Sequence, residues 1–219
     1  MTADSTAFSG EVAARYDAWY ETPEGRRVDE LEKAALRWLL EGFPRARSVL
    51  EVGCGTGHFT HWMHEEGLAA VGADLSAAML AEVQAVNGVS LAQSDAYQLP
   101  FADDTFDLTV FVTTLEFLEQ PNEALKEALR VARQGVVLGV LNRWSVLGLQ
   151  RKLVGLFRPT VYDAAHFYSV GELRRLLLRV RDVRQARDVR ISWRTTLFPR
   201  WWPQSQSNLP WGGFIAMAK

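Results

Sequence analysis

Ser48-Val49-Leu50-Glu51-Val52-Gly53-Cys54-Gly55-Thr56-Gly57-His58-Phe59-Thr60 decides how the rest of the chain is read. Val49, Leu50 and Val52 make a short apolar run carrying one acidic residue, Glu51, which breaks into three alternating glycines before a helix-compatible run begins. That order is a strand, a turn and a helix start. Glycine is needed where a backbone takes positive φ or where a ligand must approach with no Cβ between, and the N–H groups at the next helix N-terminus then face that ligand. The spacing narrows the ligand. A dinucleotide fingerprint is G-x-G-x-x-G/A, its third small residue letting helix and strand pack closely. Counted from Gly53 that position is His58. The mismatch, and the lack of a second dinucleotide-type half, disfavour a nicotinamide oxidoreductase.

Composition sets outer bounds. The 219 residues are 48% hydrophobic and 23% charged, ordinary for one soluble domain with a full core. A single domain over 1–219 is expected, with an N-terminal arm and helix (1–42) and an insertion (143–168). The net charge of -2 gives no global attraction to nucleic acid. Cys54 is the only cysteine, so no intramolecular disulfide forms. No leader-like stretch and no run near membrane-spanning length is found, and a cytoplasmic protein is expected.

The pattern Glu51-x-Gly53-x-Gly55-x-Gly57 resembles the first motif of the class I S-adenosylmethionine-dependent methyltransferases, in the type 11, quinone-biosynthesis-like small-molecule branch. The resemblance extends over nearly the whole chain and is firmest from Val49 to Leu141. It implies an α/β, three-layer Rossmann-like fold whose mostly parallel, seven-stranded sheet has its last strand antiparallel. It implies S-adenosyl-L-methionine as cofactor, with Glu51, Gly53, Cys54, Gly55 and Gly57 around the amino-acid part. A second strand from Leu68 to Ala73 ends in Asp74, and an acidic group there can accept from both ribose hydroxyls. Ser76 is an N-cap, with Leu75 and Met79 flanking the adenine. Asp95-Ala96, after a third strand Val89–Gln93, resembles the family's adenine-amine motif. Tyr16 and Tyr20, in an aromatic arm that leads to a helix over Arg26–Leu40, either pack as core anchors or close over the cofactor as the resemblance implies.

A fourth strand, Thr105–Val112, runs into Thr113-Thr114-Leu115-Glu116, at the sheet end where open α/β folds place ligands. Thr113 is shared between the cofactor and catalytic sets. Thr113, Thr114, Glu116 and His166 are the catalytic candidates, with Tyr168 beside them. Glu116 stands where many quinone-biosynthesis-like members carry His, so it is either an acidic group at the substrate or a solvated helix start. A helix over Asn122–Arg133 and a fifth strand over Gly135–Leu141 follow. Asn142–Tyr168 is strongly apolar between a few basic residues, the composition of a substrate lid or of an interfacial helix; the lid is favoured. Tyr162, His166 and Tyr168 close it, to touch substrate or to pack.

Three further features admit plainer readings. His58, His61 and His64 step around a helix rather than converging, so no metal is assigned. Cys54 is read as small and inert, having no base partner. The arginines between Arg174 and Arg194 accompany a sixth strand through Ile191 and Trp193, with Arg190 and Arg194 facing solvent. Leu197–Trp211 is read as a loop and Gly213–Ala218 as the last strand. The function expected is methyl transfer by in-line displacement to a small, apolar metabolite; a cofactor-binding or regulatory protein without catalysis is the rival from another class.

Overall fold

The computed structural model describes residues 17–83, 86–145, 165–180, 190–199 and 205–219. Tyr16, Tyr162 and most of the apolar insertion lie outside these residues. After a 3₁₀ turn, Asp17–Trp19, the chain enters α1 (Pro23–Leu40). This helix starts three residues earlier than its apolar periodicity suggests. Thr22 caps it by accepting from Gly25 N at 2.9 Å, and Pro23 occupies the first position, where no N–H is missed.

Alternating units follow: β1 (Ser48–Val52), α2 (His58–Glu65), β2 (Ala69–Asp74), α3 (Ala77–Ala81), β3 (Ser90–Gln93) and β4 (Phe106–Val112). Then come α4 (Pro121–Val131), β5 (Ala132–Leu141), α5 (Val170–Arg179), β6 (Ser192–Thr196), β7 (Gln206–Ser207) and β8 (Phe214–Ala218). The sheet order is β3-β2-β1-β4-β5-β8-β6-β7. The strands from β3 across to β5 are parallel, and β8 runs antiparallel between β5 and β6. The sheet thus has eight strands where seven were expected. The extra one is β7, two residues inside the stretch read as a loop, paired as Thr195↔Ser207 and Thr196↔Gln206. So short a strand leaves no periodicity to read.

Two apolar layers enclose the sheet. Leu125 and Leu129 of α4 and Leu173 and Leu177 of α5 cover one face; Leu36 and Leu39 of α1 and Phe59, Trp62 and Met63 of α2 cover the other. Burial on both faces explains why β4 is nearly continuously apolar. Leu50 of β1 is fully buried, worth about 1.5–3 kcal/mol of transfer free energy. Asp107 fixes β1 against β4 by accepting from Arg47 N at 2.8 Å and Ser48 N at 3.1 Å. Burial would raise its pKa, but those N–H groups and the Arg133 guanidinium outweigh that and hold it at about 2.

Arg194 departs from the solvated position expected of it. Its guanidinium lies 3.9 Å from the Trp38 ring centroid, a cation–π contact that seats β6 on α1.

Candidate functional site

β1 has β2 on one side and β4 on the other, so the crossovers diverge above its carboxyl end. Crevices of open α/β sheets form at such a point. The glycine turn lies across it, with φ of 76° at Gly53, 55° at Gly55 and 79° at Gly57. At Gly53 a Cβ would stand 2.1 Å from Thr114 Cγ2, so the turn and the loop after β4 meet with no room for a side chain. The Thr114 hydroxyl donates to the carbonyls of Gly53 and Val112, both at 3.1 Å. Gly53 N and Cys54 N both donate to the Ala73 carbonyl, at 2.7 and 3.0 Å.

Asp74 locks this arrangement. One carboxylate oxygen accepts from Gly55 N and the other from Ser76 N, each at 2.8 Å. With Leu75 N also directed at the carboxylate, one of its four acceptor positions stays open. Burial raises the Asp74 pKa against the opposing pull of the Ser76, Gly55 and Leu75 N–H groups. Beneath the turn Glu51 is 2% exposed and accepts from the Thr60 hydroxyl of α2. Burial, relieved in part by Thr60 and reinforced by the Asp74 charge, pushes its pKa up to about 8. Burial therefore favours the neutral acid form of Glu51.

The remaining cofactor candidates take distinct places. Cys54 is buried against Gly72, where a Cβ would stand 2.8 Å from Sγ. Burial, then the Glu51 and Asp74 charges, drive its thiol pKa up. Met79 is buried and its methyl lies 3.0 Å from where a Gly55 Cβ would be, so it supports the turn from below. Leu75 is 45% exposed. Asp95 is exposed, with one oxygen accepting from Tyr97 N at 2.9 Å; Ala96 follows it, half-buried. Thr113 has φ 50°, a strained value for a β-branched residue. Tyr20 stacks on His58, rings 3.9 Å apart and 9° from parallel. His58 Nε2 lies 2.7 Å from Asp29 Oδ1, and Thr56 donates to Asp17 at 2.6 Å. Residues 17–20 therefore rest on the glycine turn. His64 turns toward the Leu68 carbonyl at 3.4 Å, and among the described residues no three His, Cys, Asp or Glu side chains form a metal site.

Past Thr114 a second 3₁₀ turn, Leu115–Phe117, leads to α4. This segment faces α5 and the residues before it across a cavity of about 720 Å³. Glu116 and Glu119 line one wall; His166, Glu172, Arg175 and Arg179 line the other. Glu116 is 2% exposed and accepts from Leu141 N at 2.6 Å. Its backbone carbonyl accepts from His166 N at 2.8 Å. Tyr168 donates to the Leu115 carbonyl at 3.2 Å, and burial followed by the Glu116 charge raises its pKa. His166 Nε2 lies 3.1 Å from Glu172 Oε1 and 3.3 Å from the Arg143 guanidinium.

Residues 50–140 match the profile of a methyltransferase domain family. An uncharacterized protein of Methanocaldococcus jannaschii is 31% identical over 172 residues, covering 76% of this chain and 77% of its own length. The chain belongs to the class I S-adenosylmethionine-dependent methyltransferases. A solved structure from Thermotoga maritima, described as an S-adenosylmethionine-dependent methyltransferase and possible histamine N-methyltransferase, superposes with a TM-score of 0.75 at 26% identity. It covers 94% of this chain and 93% of its own. An uncharacterized Mycobacterium tuberculosis protein is 36% identical over 184 residues, or 81% of this chain. The chain spans 60% of that relative's length.

The crevice fits the family's cofactor. Thr114 and Met79 take the space a Cβ would need at Gly53 and Gly55, so the turn presents bare main chain at positive φ, and Asp74 keeps acceptor capacity beside it. The structure brings together Glu51, the three glycines, Cys54, Asp74, Met79 and Thr114 around one turn. Asp95 and Ala96 stand at the end of β3, joined to Asp74 by Ser94 N donating to the Asp74 carbonyl at 2.9 Å. Glu116, His166 and Tyr168 belong to the neighbouring cleft. Thr114, a catalytic candidate, has its hydroxyl occupied by backbone carbonyls and serves as a buttress. Sequence reasoning missed Thr60, Asp17, Glu172 and Arg143. Of these, Glu172 carried a usable signal: Ser169-x-x-Glu172 is a capping box, readable from its spacing.

Proposed function

We propose that this methyltransferase moves a methyl group from S-adenosylmethionine to a small-molecule acceptor held in the cleft between Leu115–Pro121 and α5. The observation that carries the reading is continuity. Thr114, which closes the glycine turn, is two residues from Glu116 in the cleft wall, so one loop serves both halves. When bound, the cofactor supplies an electrophilic methyl group on a sulfonium. The chain's task is then to align the acceptor atom at about 3 Å and exclude water. Residues 17–20, resting on the turn through Thr56 and His58, provide cover on one side. An acceptor that must lose a proton has His166 within the cleft, oriented by Glu172, as its general base. Tyr168, with its raised pKa, stays a neutral hydroxyl and positions rather than deprotonates.

The body of the acceptor is read as apolar. Trp144, one residue beyond Arg143, is 68% exposed, and the sequence that follows it to Phe157 is rich in Leu and Val. Among the described residues no helix is long and apolar enough to cross a membrane. The test is transfer of radiolabelled methyl from the cofactor to a panel of small apolar acids, phenols and amines. Transfer to one class, lost in His166→Ala for protonated acceptors, is expected. Tight cofactor binding with no transfer to any of them would favour a binding protein over an enzyme.

A further inference from the structure

We infer that the acceptor carries an oxyanion group, a carboxylate or phosphate, that Arg175 and Arg179 hold in the cleft. The inference rests on the reading of this cleft as the acceptor site. Arg175 and Arg179 are four residues apart on α5 and both line the cavity. Like charges at this spacing repel and weaken a helix. Arg179 has a compensating reason to be there, since it lies in the last turn, where the helix dipole favours a cation. Arg175, one turn earlier, has only Glu172 three residues before it, and that carboxylate is already shared by Arg143 and His166.

The pairing of charges around them sharpens the point. Arg26, Arg37, Arg130, Arg133 and Arg143 each lie within 4 Å of a carboxylate. Arg175 and Arg179 have no such partner among the described residues, as is also true of Arg174 on the same helix, but of the described arginines only these two line the cavity. The acidic groups of the same cleft are mostly engaged. Glu172 faces Arg143 at 3.4 Å and His166 at 3.1 Å, and Glu116 is held by Leu141 N. Glu119, on the opposite lip, is exposed and competes for the two guanidiniums. An oxyanion between Arg175 and Arg179 turns their repulsion into attraction and uses the fork geometry that suits guanidinium to carboxylate and phosphate. With Phe117, Leu118 and Leu176 also lining the cleft, this describes an amphipathic acceptor.

The experiment is calorimetric titration of the full chain, loaded with S-adenosylhomocysteine, with octanoate, octyl phosphate and 1-octanol. Cofactor-product affinity is measured first, so failure there is failure of the methyltransferase reading and is seen separately. The inference expects one of the two anions to bind at least ten-fold tighter than 1-octanol, and which one it is separates carboxylate from phosphate. It further expects Arg175→Gln with Arg179→Gln to remove that preference while leaving the loading step and far-UV dichroism unchanged. Glu119→Gln should tighten anion binding by removing a competitor. Equal binding of anion and alcohol, no binding of either anion, or an unchanged preference in the double variant would each overturn it.

Discussion

The glycine crevice and the cleft proposed to take the acceptor are adjacent but built on opposite principles. The crevice is shaped by main chain: Gly53 packs against Thr114, Ala73 accepts from two consecutive N–H groups, and Asp74 ties Gly55 to Ser76. Its ionisable groups are shifted toward neutrality by burial, as in Glu51, Asp74 and Cys54. The cleft is shaped by side chains from segments about 50 residues apart, and its rim stays charged and open to solvent. A site of the first kind admits one ligand shape. One of the second kind changes its ligand when two or three surface side chains change, while the fold beneath stays as it is.

Breaking the crevice should therefore cost the fold as well as the ligand. Gly53→Ala places a Cβ 2.1 Å from Thr114 Cγ2 at φ 76°, and a loss of about 3 kcal/mol or more is expected. Urea unfolding checks this. Adding Thr114→Ala should recover part of the loss by removing the Cγ2 and Oγ1 contacts, while the Cβ contact at 2.8 Å and the φ strain stay; no recovery would mean that the two segments are not in contact.

Glu51 tests whether burial governs the crevice. Its folded pKa, about 8, is raised above the ordinary 4.5, so the folded state holds the proton more tightly. The resulting stability is complete below pH 4.5 and declines as pH rises to about 8, by up to about 1.4 kcal/mol per pH unit. Glu51→Gln removes this decline. Its midpoint in urea should match wild type near pH 4.5 and exceed it at pH 8, the difference being a few kcal/mol at most. A constant difference across that range would show that Glu51 is ionised in the folded protein.

The cleft offers the smallest effect on stability. Arg175→Gln with Arg179→Gln should leave unfolding free energy within about 0.5 kcal/mol of wild type, as for exposed positions away from packing. A loss above 2 kcal/mol would make the two arginines structural and erase the distinction between the regions.

The same contrast explains what was legible in the sequence. The alternating glycines and the apolar strand before them fixed the turn, the order of β1 to β5 and the place of Asp74, because backbone requirements write themselves into residue type at fixed spacing. The antiparallel β8 was foreseen through the family resemblance. Two-residue β7 was not, having no period to display. The Thr114 hydroxyl looked free for catalysis because its backbone acceptors come from β4's own end and from a turn 61 residues away. Arg194 looked solvated because nothing local announces Trp38 beneath it. The cleft was hardest to see: Glu116, His166, Glu172 and Arg175 come together only through the pairing of α4 and α5 on one face of the sheet.

The most direct test of the account is calorimetric titration with S-adenosylmethionine of the wild type and Asp74→Ala, with NADH as control. The account predicts S-adenosylmethionine binding that weakens at least ten-fold in the variant, about 1.4 kcal/mol, and no binding of NADH to either. Equal affinity of both proteins for S-adenosylmethionine, or preference for NADH, would contradict it.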